Sequence, residues 1–242
     1  MTKKTLILIP TLNEINNINK LYKKIINLNL KLDILFIDDN SHDGTLEIIK
    51  KIKKNKKNIY LFSRNRRMGL GKAHKDGINW AYKKNYKFLI TMDSDFAHDP
   101  KYIPGLLKKI NNSDLTVGSR HLKKNSTPNW SIFRKILTYG SKIVSKILFN
   151  HTMDSTNAFR CYNLKRINKN FLKFCKSDDY DFFFTSINIL NIKKYKITEF
   201  PMVIKARVEG QSKMYLKYII KSIFMFFRLF VYIIINKRKI IN

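Results

Sequence analysis

Short apolar runs alternate along the chain with longer stretches in which apolar residues return every three or four positions. Residues 5–9, TLILI, form a continuous run rich in β-branched residues and closed by Pro10, which predicts a buried strand. From 14 to 28 the residues Ile15, Ile18, Leu21, Tyr22, Ile25 and Ile26 share one helical face. The unit then repeats. A strand is predicted at 33–37 (DILFI), a helix from Thr45 with Leu46, Ile49 and Ile52 on one face, and a third strand at 58–63 (NIYLFS). A helix at 73–82, a strand at 87–91 (KFLIT), a helix at 102–110 and a strand at 114–120 (DLTVGSR) complete the series.

Strands alternating with helices at this spacing predict an α/β fold: a mostly parallel central sheet with helices on both faces. In open sheets of that kind, ligands bind beyond the carboxyl ends of the strands. Asp38, Asp39, Asp93 and Asp95 each fall just after a predicted strand, so all four are expected along the same edge.

Composition adds a contrast. The 242 residues carry 48 Lys and Arg against 17 Asp and Glu, a formal net charge of +31, yet the scarce acids gather where apolar runs end. Charge of this size fits nucleic acid or an anionic membrane surface. It fits equally a general bias toward Lys, Ile and Asn, which are abundant in every segment. A basic face interleaved with stacking aromatics is not visible, so a nucleic-acid partner is not expected. No charged segment followed by an apolar core opens the chain, and Cys161 and Cys175 are its only cysteines. Secretion and a disulfide framework are therefore not expected, and the working face is expected to be cytosolic.

A lone Asp after a strand commonly caps a helix or forms a turn, the role expected of Asp43 and Asp99. Asp93 and Asp95 differ, because in an extended D-x-D segment both side chains project from one face. Two close carboxylates call for a cation, and Mg²⁺ or Mn²⁺ favours carboxylates combined with substrate phosphate oxygens.

Taken together, PTLNE at 10–14, IDDNSHDGT at 37–45, GLGKAHKDG at 69–77, MDSDFAHDP at 92–100 and GSR at 118–120 resemble the family-2 glycosyltransferases. The segments DSTNAFRCY at 154–162 and EFPMVIKARVEGQSK at 199–213 narrow the resemblance to the dolichol-phosphate mannosyltransferases and their bacterial polyprenyl-phosphate relatives. The resemblance implies a GT-A nucleotide-diphospho-sugar transferase domain over 1–213. It implies that Pro10, Glu14 and Asp39 hold the nucleotide base and ribose, and that Asp93, Ser94 and Asp95 hold a metal and the diphosphate. Arg120, Arg134, Arg207 and Lys213 would surround the sugar diphosphate and the acceptor phosphate, with Asp95, Arg120 and Arg134 nearest the chemistry. Simpler roles also fit these positions: Glu14 as an early-helix acid, Asp39 as a turn acid, Gly69 and Gly71 as turn residues, and Arg160 as an internal ion-pair partner for Asp154.

The implied reaction is inverting transfer of a hexose, most simply mannose from GDP-mannose, onto a polyprenyl or dolichyl phosphate. A phosphate acceptor is already an anion and needs cations around it, whereas a hydroxyl acceptor needs a carboxylate base. The acidic position of the family pattern falls on Thr185, which leaves Asp178, Asp179 or Asp181 as the base of a hydroxyl-directed alternative. Ala97 and Ala206 also stand where relatives often carry polar or acidic groups.

Residues 214–242 form a basic, aromatic-rich tail. Its apolar run, 223–235, is interrupted by Arg228 and is shorter than the roughly twenty residues that span a bilayer. An interfacial helix is expected, with Lys217, Lys221, Arg228 and NKRK toward headgroups; a helix packed on the catalytic domain or on a small membrane-protein partner is the alternative. A peripheral protein on the cytosolic face of a membrane follows.

Overall fold

The computed structural model describes residues 4–128, 130–204 and 216–241; within its helices, the side chains of Arg134, Lys217 and Lys221 lie outside that description, as do Arg207 and Lys213 altogether. The first half follows the expected alternation: β1 (Thr5–Thr11), α1 (Ile15–Ile26), β2 (Asp33–Asp38), α2 (Thr45–Lys53), β3 (Ile59–Ser63), α3 (Leu70–Lys83), β4 (Phe88–Thr91), α4 (Ile103–Lys109) and β5 (Leu115–Ser119). Beyond it come α5 (Ile132–Phe149), β6 (Arg160–Asn163), α6 (Asp181–Ile192), β7 (Ile197–Pro201) and α7 (Leu216–Ile241).

The seven strands form one sheet in the order β3-β2-β1-β4-β6-β5-β7. Only β6 runs against its neighbours, pairing antiparallel with both β4 and β5. Parallel strands covered on both faces must be apolar on both faces, and β1 is buried along its whole length. Leu6 and Leu8 join the layer built from α3, α6 and α7, while Ile7 and Ile9 join the layer built from α1, α2 and α4.

Asn abundance has a local use. Among the described residues, Asn13, Asn29, Asn40, Asn55, Asn85, Asn125 and Asn150 hold a positive φ, the left-handed conformation that Asn tolerates better than most side chains. They supply turns in a chain with only eight glycines.

Helix α7 packs against the domain along one side. Its Leu229, Ile233 and Ile240 are buried in the layer shared with α6, whereas Phe224, Phe227, Ile234 and Ile235 on the opposite side are exposed. Among the described residues no helix is long and apolar enough to cross a membrane.

Candidate active site

The carboxyl ends of β1, β2, β4 and β5 bring Pro10, Asp39, Asp93, Ser94, Asp95 and Arg120 to one rim, while Arg134, Arg207 and Lys213 lie outside the description. Pro10 lies in β1 opposite Ile37, and Thr11 lies opposite Asp38 at the strand ends. Asp38 is fully buried and spends its carboxylate on the loop: Oδ1 accepts from Thr11 Oγ1 at 3.0 Å and from Ser41 Oγ at 2.6 Å, and Oδ2 accepts from Ser41 N. Glu14 N donates to Thr45 Oγ1 at 2.8 Å, and the Glu14 carboxylate accepts from Asn17 Nδ2 at 2.6 Å. These bonds lace the β1–α1 loop to the β2–α2 loop and leave a polar edge between them.

Asp39 is buried at that edge. Its carboxylate accepts from Arg64 Nη1 at 2.8 Å, Met68 N at 2.9 Å and Gly69 N at 2.9 Å. Arg64, also buried, bridges on to Asp76, which takes Lys72 as well. Sequence reasoning missed Arg64, although it directly follows the third strand and so had to fall on the ligand-bearing rim.

Asp43 and Asp99 hold the turn and cap roles expected of them. Asp99 Oδ1 accepts from Lys101 N at the 3-10 turn Pro100–Tyr102, and Asp43 accepts from Thr45 N and Ile15 N. Burial works to raise the Asp43 pKa, but the hydrogen bonds from Thr45 and Ile15 outweigh it and hold the carboxyl below its ordinary value.

The D-x-D segment follows β4 directly. Asp93 is partly exposed, while Ser94 and Asp95 are buried. Phe96 takes a left-handed conformation, φ 61°, which lets Ala97 N donate to Asp95 Oδ1 at 3.0 Å. A bulky residue held there stores roughly 1 kcal/mol or more of strain. His98 pins the same loop: its Nδ1 accepts from Asp93 N at 2.9 Å, and its Nε2 meets Asn157 Oδ1 at 2.9 Å. Asn157 in turn donates Nδ2 to Gly118 O at 2.6 Å. With Nδ1 accepting from Asp93 N, Nε2 is the donor toward Asn157, and Nδ1 lies 3.6 Å from Asp93 Oδ2.

Asn157 connects this loop to the strand that carries Arg120, two residues beyond Gly118. Arg120 is buried against Asp154: Nε donates to Oδ2 at 2.7 Å, Nη2 to Oδ1, and the backbone N to Oδ2 at 2.9 Å. Thr156 Oγ1 takes a further Nη2 bond at 2.7 Å, and the Trp130 ring lies 5.6 Å from the guanidinium carbon. Burial works to raise the Asp154 pKa, but the adjacent Arg120 charge and its hydrogen bonds hold it below the ordinary carboxylate value. Arg160, expected as the partner of Asp154, is not. It is wholly buried and donates to Asn157 O, Ser155 O, Phe183 O and Ser186 Oγ. The chain turns between 154 and 160 so that Asp154 faces β5, and Arg160 stitches α6 to the sheet instead.

The acids near α6 have structural uses. Asp178 pairs with Lys75 at 2.6 Å and its carbonyl accepts from Lys72 N, while Asp181 takes a hydrogen bond from Ser177 Oγ. This loop explains the two glycines opening α3: a Cβ on Gly69 or Gly71 would stand 2.5 Å from the carbonyl oxygen of Asp178 or Asp179, and Gly69 has φ +96°. Close approach of backbone, more than the turn alone, demands glycine there.

Asp93 and Asp95 offer hard oxygen donors of the kind Mg²⁺ and Mn²⁺ prefer, and Ala97 beside them leaves the remaining positions to phosphate and water. Among the described residues no group of three or more His, Cys, Asp or Glu is placed to hold a metal unaided. The donor set therefore fits a cation shared with a bound diphosphate.

The mostly parallel seven-stranded sheet with helices on both sides is a GT-A-like fold. Solved structures with this fold include glucosyl-3-phosphoglycerate synthase of Mycobacterium tuberculosis in complex with Mn²⁺ and UDP-glucose, with TM-score 0.68, 14% identity and coverage of 93% of this chain and 79% of that one. S. aureus TarS in complex with UDP-GlcNAc gives TM-score 0.62, 18% identity and coverage of 98% and 70%. The chain belongs to glycosyl transferase family 2, whose pattern matches residues 6–173. Undecaprenyl-phosphate mannosyltransferase of Micrococcus luteus is 28% identical over 87% of both chains. Polyprenol monophosphomannose synthase of Mycolicibacterium smegmatis is 28% identical over 88% of this chain and 82% of its own.

Proposed function

We propose that this family 2 glycosyltransferase moves a hexose, with mannose from GDP-mannose as the favoured donor, onto a polyprenyl phosphate at the cytosolic face of a membrane. The observation that carries this reading is the likeness, over 87–88% of this chain, to two enzymes named for that acceptor class. The site supports it chemically. Pro10, Glu14 and Asp39 line the edge for base and ribose, and Asp93 and Asp95 stand where a diphosphate would arrive. A Mg²⁺ or Mn²⁺ ion held by these two carboxylates would offset charge growing on the leaving diphosphate. Arg120, with Arg134, Arg207 and Lys213, would hold the acceptor phosphate in line behind the anomeric carbon. One phosphate oxygen forms the new bond as the bond to the nucleotide diphosphate breaks, inverting the anomeric centre, and no proton has to be removed.

Asp178 and Asp181 already carry partners, which fits a site without a dedicated base. The exposed apolar side of α7, with Arg228 and Lys237 to Lys239 exposed beside it, suits docking on an anionic bilayer. The deciding experiment is transfer of radiolabelled sugar into organic-extractable lipid, with purified protein, polyprenyl phosphate and Mg²⁺ or Mn²⁺, and with GDP-mannose, UDP-glucose and UDP-GlcNAc tested in parallel. Label from GDP-mannose supports the full reading. Label from a UDP-sugar revises the donor, and label from none, with donor binding intact, turns the acceptor assignment toward a hydroxyl.

A further inference from the structure

On the α3 side of the sheet, away from the rim, a recess of about 320 Å³ is lined by lysines and asparagines. One wall is α3, which presents Lys72, Lys75 and Asn79 at i, i+3 and i+7 and so along one helical face. The other is the 3-10 helix Lys169–Phe174, which presents Lys169, Asn170 and Lys173. Leu172 supplies the apolar part of the lining.

Both walls are held in place by the protein itself. Tyr82 Oη donates to Ile167 O at 2.7 Å and Lys75 Nζ donates to Cys175 O at 3.3 Å, so α3 is tied to the chain on either side of the 3-10 helix. Phe171 and Cys175 are buried in the same core layer as Ala73, Ile78 and Ala81. The Asn168 side chain caps the 3-10 helix, accepting from Asn170 N at 2.9 Å. Two of the lysines are fixed as well: Lys75, with 16% of its side chain exposed, pairs with Asp178 at 2.6 Å, and Lys72 pairs with Asp76 at 2.7 Å. Lys169 and Lys173 have no ion-pair partner among the described residues. Four ammonium groups therefore border a space that two carboxylates only partly balance.

We propose that this recess is an anion site for a compact polyphosphate, separate from the rim where sugar transfer takes place. An ammonium group is a point charge with three donors and no acceptor, and phosphate oxygens satisfy several such groups together. Lysines on two walls favour a chain of phosphates over a single one, because each further unit brings more charge and more acceptor oxygens into the same space. The lining also narrows the ligand. No aromatic ring borders the recess among the described residues, so a nucleobase finds no stacking surface there, and a nucleic-acid strand gains nothing beyond its phosphates. Leu172 alone is too little apolar surface to hold an acyl chain.

The test is isothermal titration of the full chain with sodium tripolyphosphate at about 0.15 M salt, which screens widely spaced surface charges. A chelator is present, so that divalent ions do not carry the probe to Asp93 and Asp95. Lys169→Gln/Lys173→Gln removes the two unpaired charges, and Lys108→Gln/Lys109→Gln removes two exposed charges on α4, across the sheet. Asn79→Trp fills the recess and changes no charge. The first and third variants should weaken binding at least about tenfold with melting temperature unchanged, and the α4 variant should bind within about twofold of the parent. Equal weakening by both lysine pairs would reduce the effect to the overall field of a basic protein and overturn the site. Full binding by Asn79→Trp would do the same. Inorganic phosphate, a short uridine oligonucleotide and phosphatidylglycerol vesicles are titrated in parallel, and tripolyphosphate should bind more tightly than inorganic phosphate. If the oligonucleotide or the vesicles bind through Lys169 and Lys173 and tripolyphosphate does not, these lysines belong to a nucleic-acid or membrane surface and the polyphosphate site falls. None of these readouts uses a sugar donor, so the site stands or falls independently of the transfer reading.

Discussion

Arg120 and Asp154 face each other across the gap between β5 and the loop before β6, joined by the Nε–Nη2 edge of the guanidinium and by the Arg120 backbone N–H, with almost no solvent reaching either side chain. Asp154 is itself steadied by Glu199, whose Oε1 accepts from Asp154 N at 2.9 Å. The pair fixes the direction of Arg120. A guanidinium bound on Nε and Nη2 offers Nη1 as its remaining donor. On the proposed reading, Asp154 is accordingly a positioning residue for the arginine that would bind the acceptor phosphate.

Removing Asp154 should therefore cost stability and acceptor binding together. Breaking a buried pair leaves an uncompensated charge and costs about 3–5 kcal/mol. Asp154→Asn should lower the unfolding free energy from urea titration by that amount and raise KM for the prenyl phosphate more than KM for the donor. An equal effect on both constants would make the pair merely structural. Because the folded carboxyl lies below its ordinary value, this stability is present above about pH 4 and is lost as pH falls through the folded value.

Asp95 separates chemistry from folding in the opposite way. The asparagine of Asp95→Asn retains an oxygen to accept from Ala97 N, so the loop should keep its shape while the donor set loses a charge. Transfer should fall roughly a hundredfold or more with little change in melting temperature. A chelator should abolish transfer in the parent chain, and Mg²⁺ or Mn²⁺ should restore it. Full activity in the chelator would remove the cation from the site.

His98 joins the two halves of the rim. His98→Phe keeps a ring for the stack on Phe159, 5.1 Å away, and deletes both the acceptor for Asp93 N and the donor to Asn157. The half-saturating metal concentration should rise about 10–100-fold, as happens when an outer partner of a metal ligand is removed. A lower melting temperature with an unchanged metal response would show that His98 serves only the core.

Much of this was legible beforehand, for reasons visible in particular residues. Runs such as TLILI and DILFI are buried on both faces of a parallel sheet, so they stand out as unbroken apolar blocks, and the acids after them mark the rim. The later elements gave weaker signals. β6 is four residues, RCYN, and its buried arginine breaks the apolar pattern because hydrogen bonds to Ser155, Asn157, Phe183 and Ser186 replace water around it. Helix α5 presents isoleucines outward, so a rule that places apolar residues inside assigns its faces backward. Pairing was also beyond reach: 154 and 160 sit in one segment, and only the turn between them decides that Asp154 meets Arg120.

His74 offers a test that does not depend on the reaction. It is fully buried in α3 against Phe182 and Phe183, and neither ring nitrogen has a hydrogen-bond partner. Burial, with Arg160 and His98 adding smaller repulsions, pushes its pKa down to about 3 from an ordinary 6.5. The folded state therefore holds a neutral imidazole, while the unfolded chain takes up a proton below about pH 6.5. Stability from this group is complete above that pH and declines by roughly 1.4 kcal/mol for each unit of further acidification until the folded pKa is reached. His74→Leu keeps an apolar side chain against the two phenylalanines and cannot titrate. Its urea midpoint should lie near that of the parent chain at pH 7.5 and above it at pH 5, where the parent has lost roughly 2 kcal/mol through this residue. If the two chains weaken in parallel between those pH values, the unpartnered imidazole is not what makes the fold sensitive to mild acid.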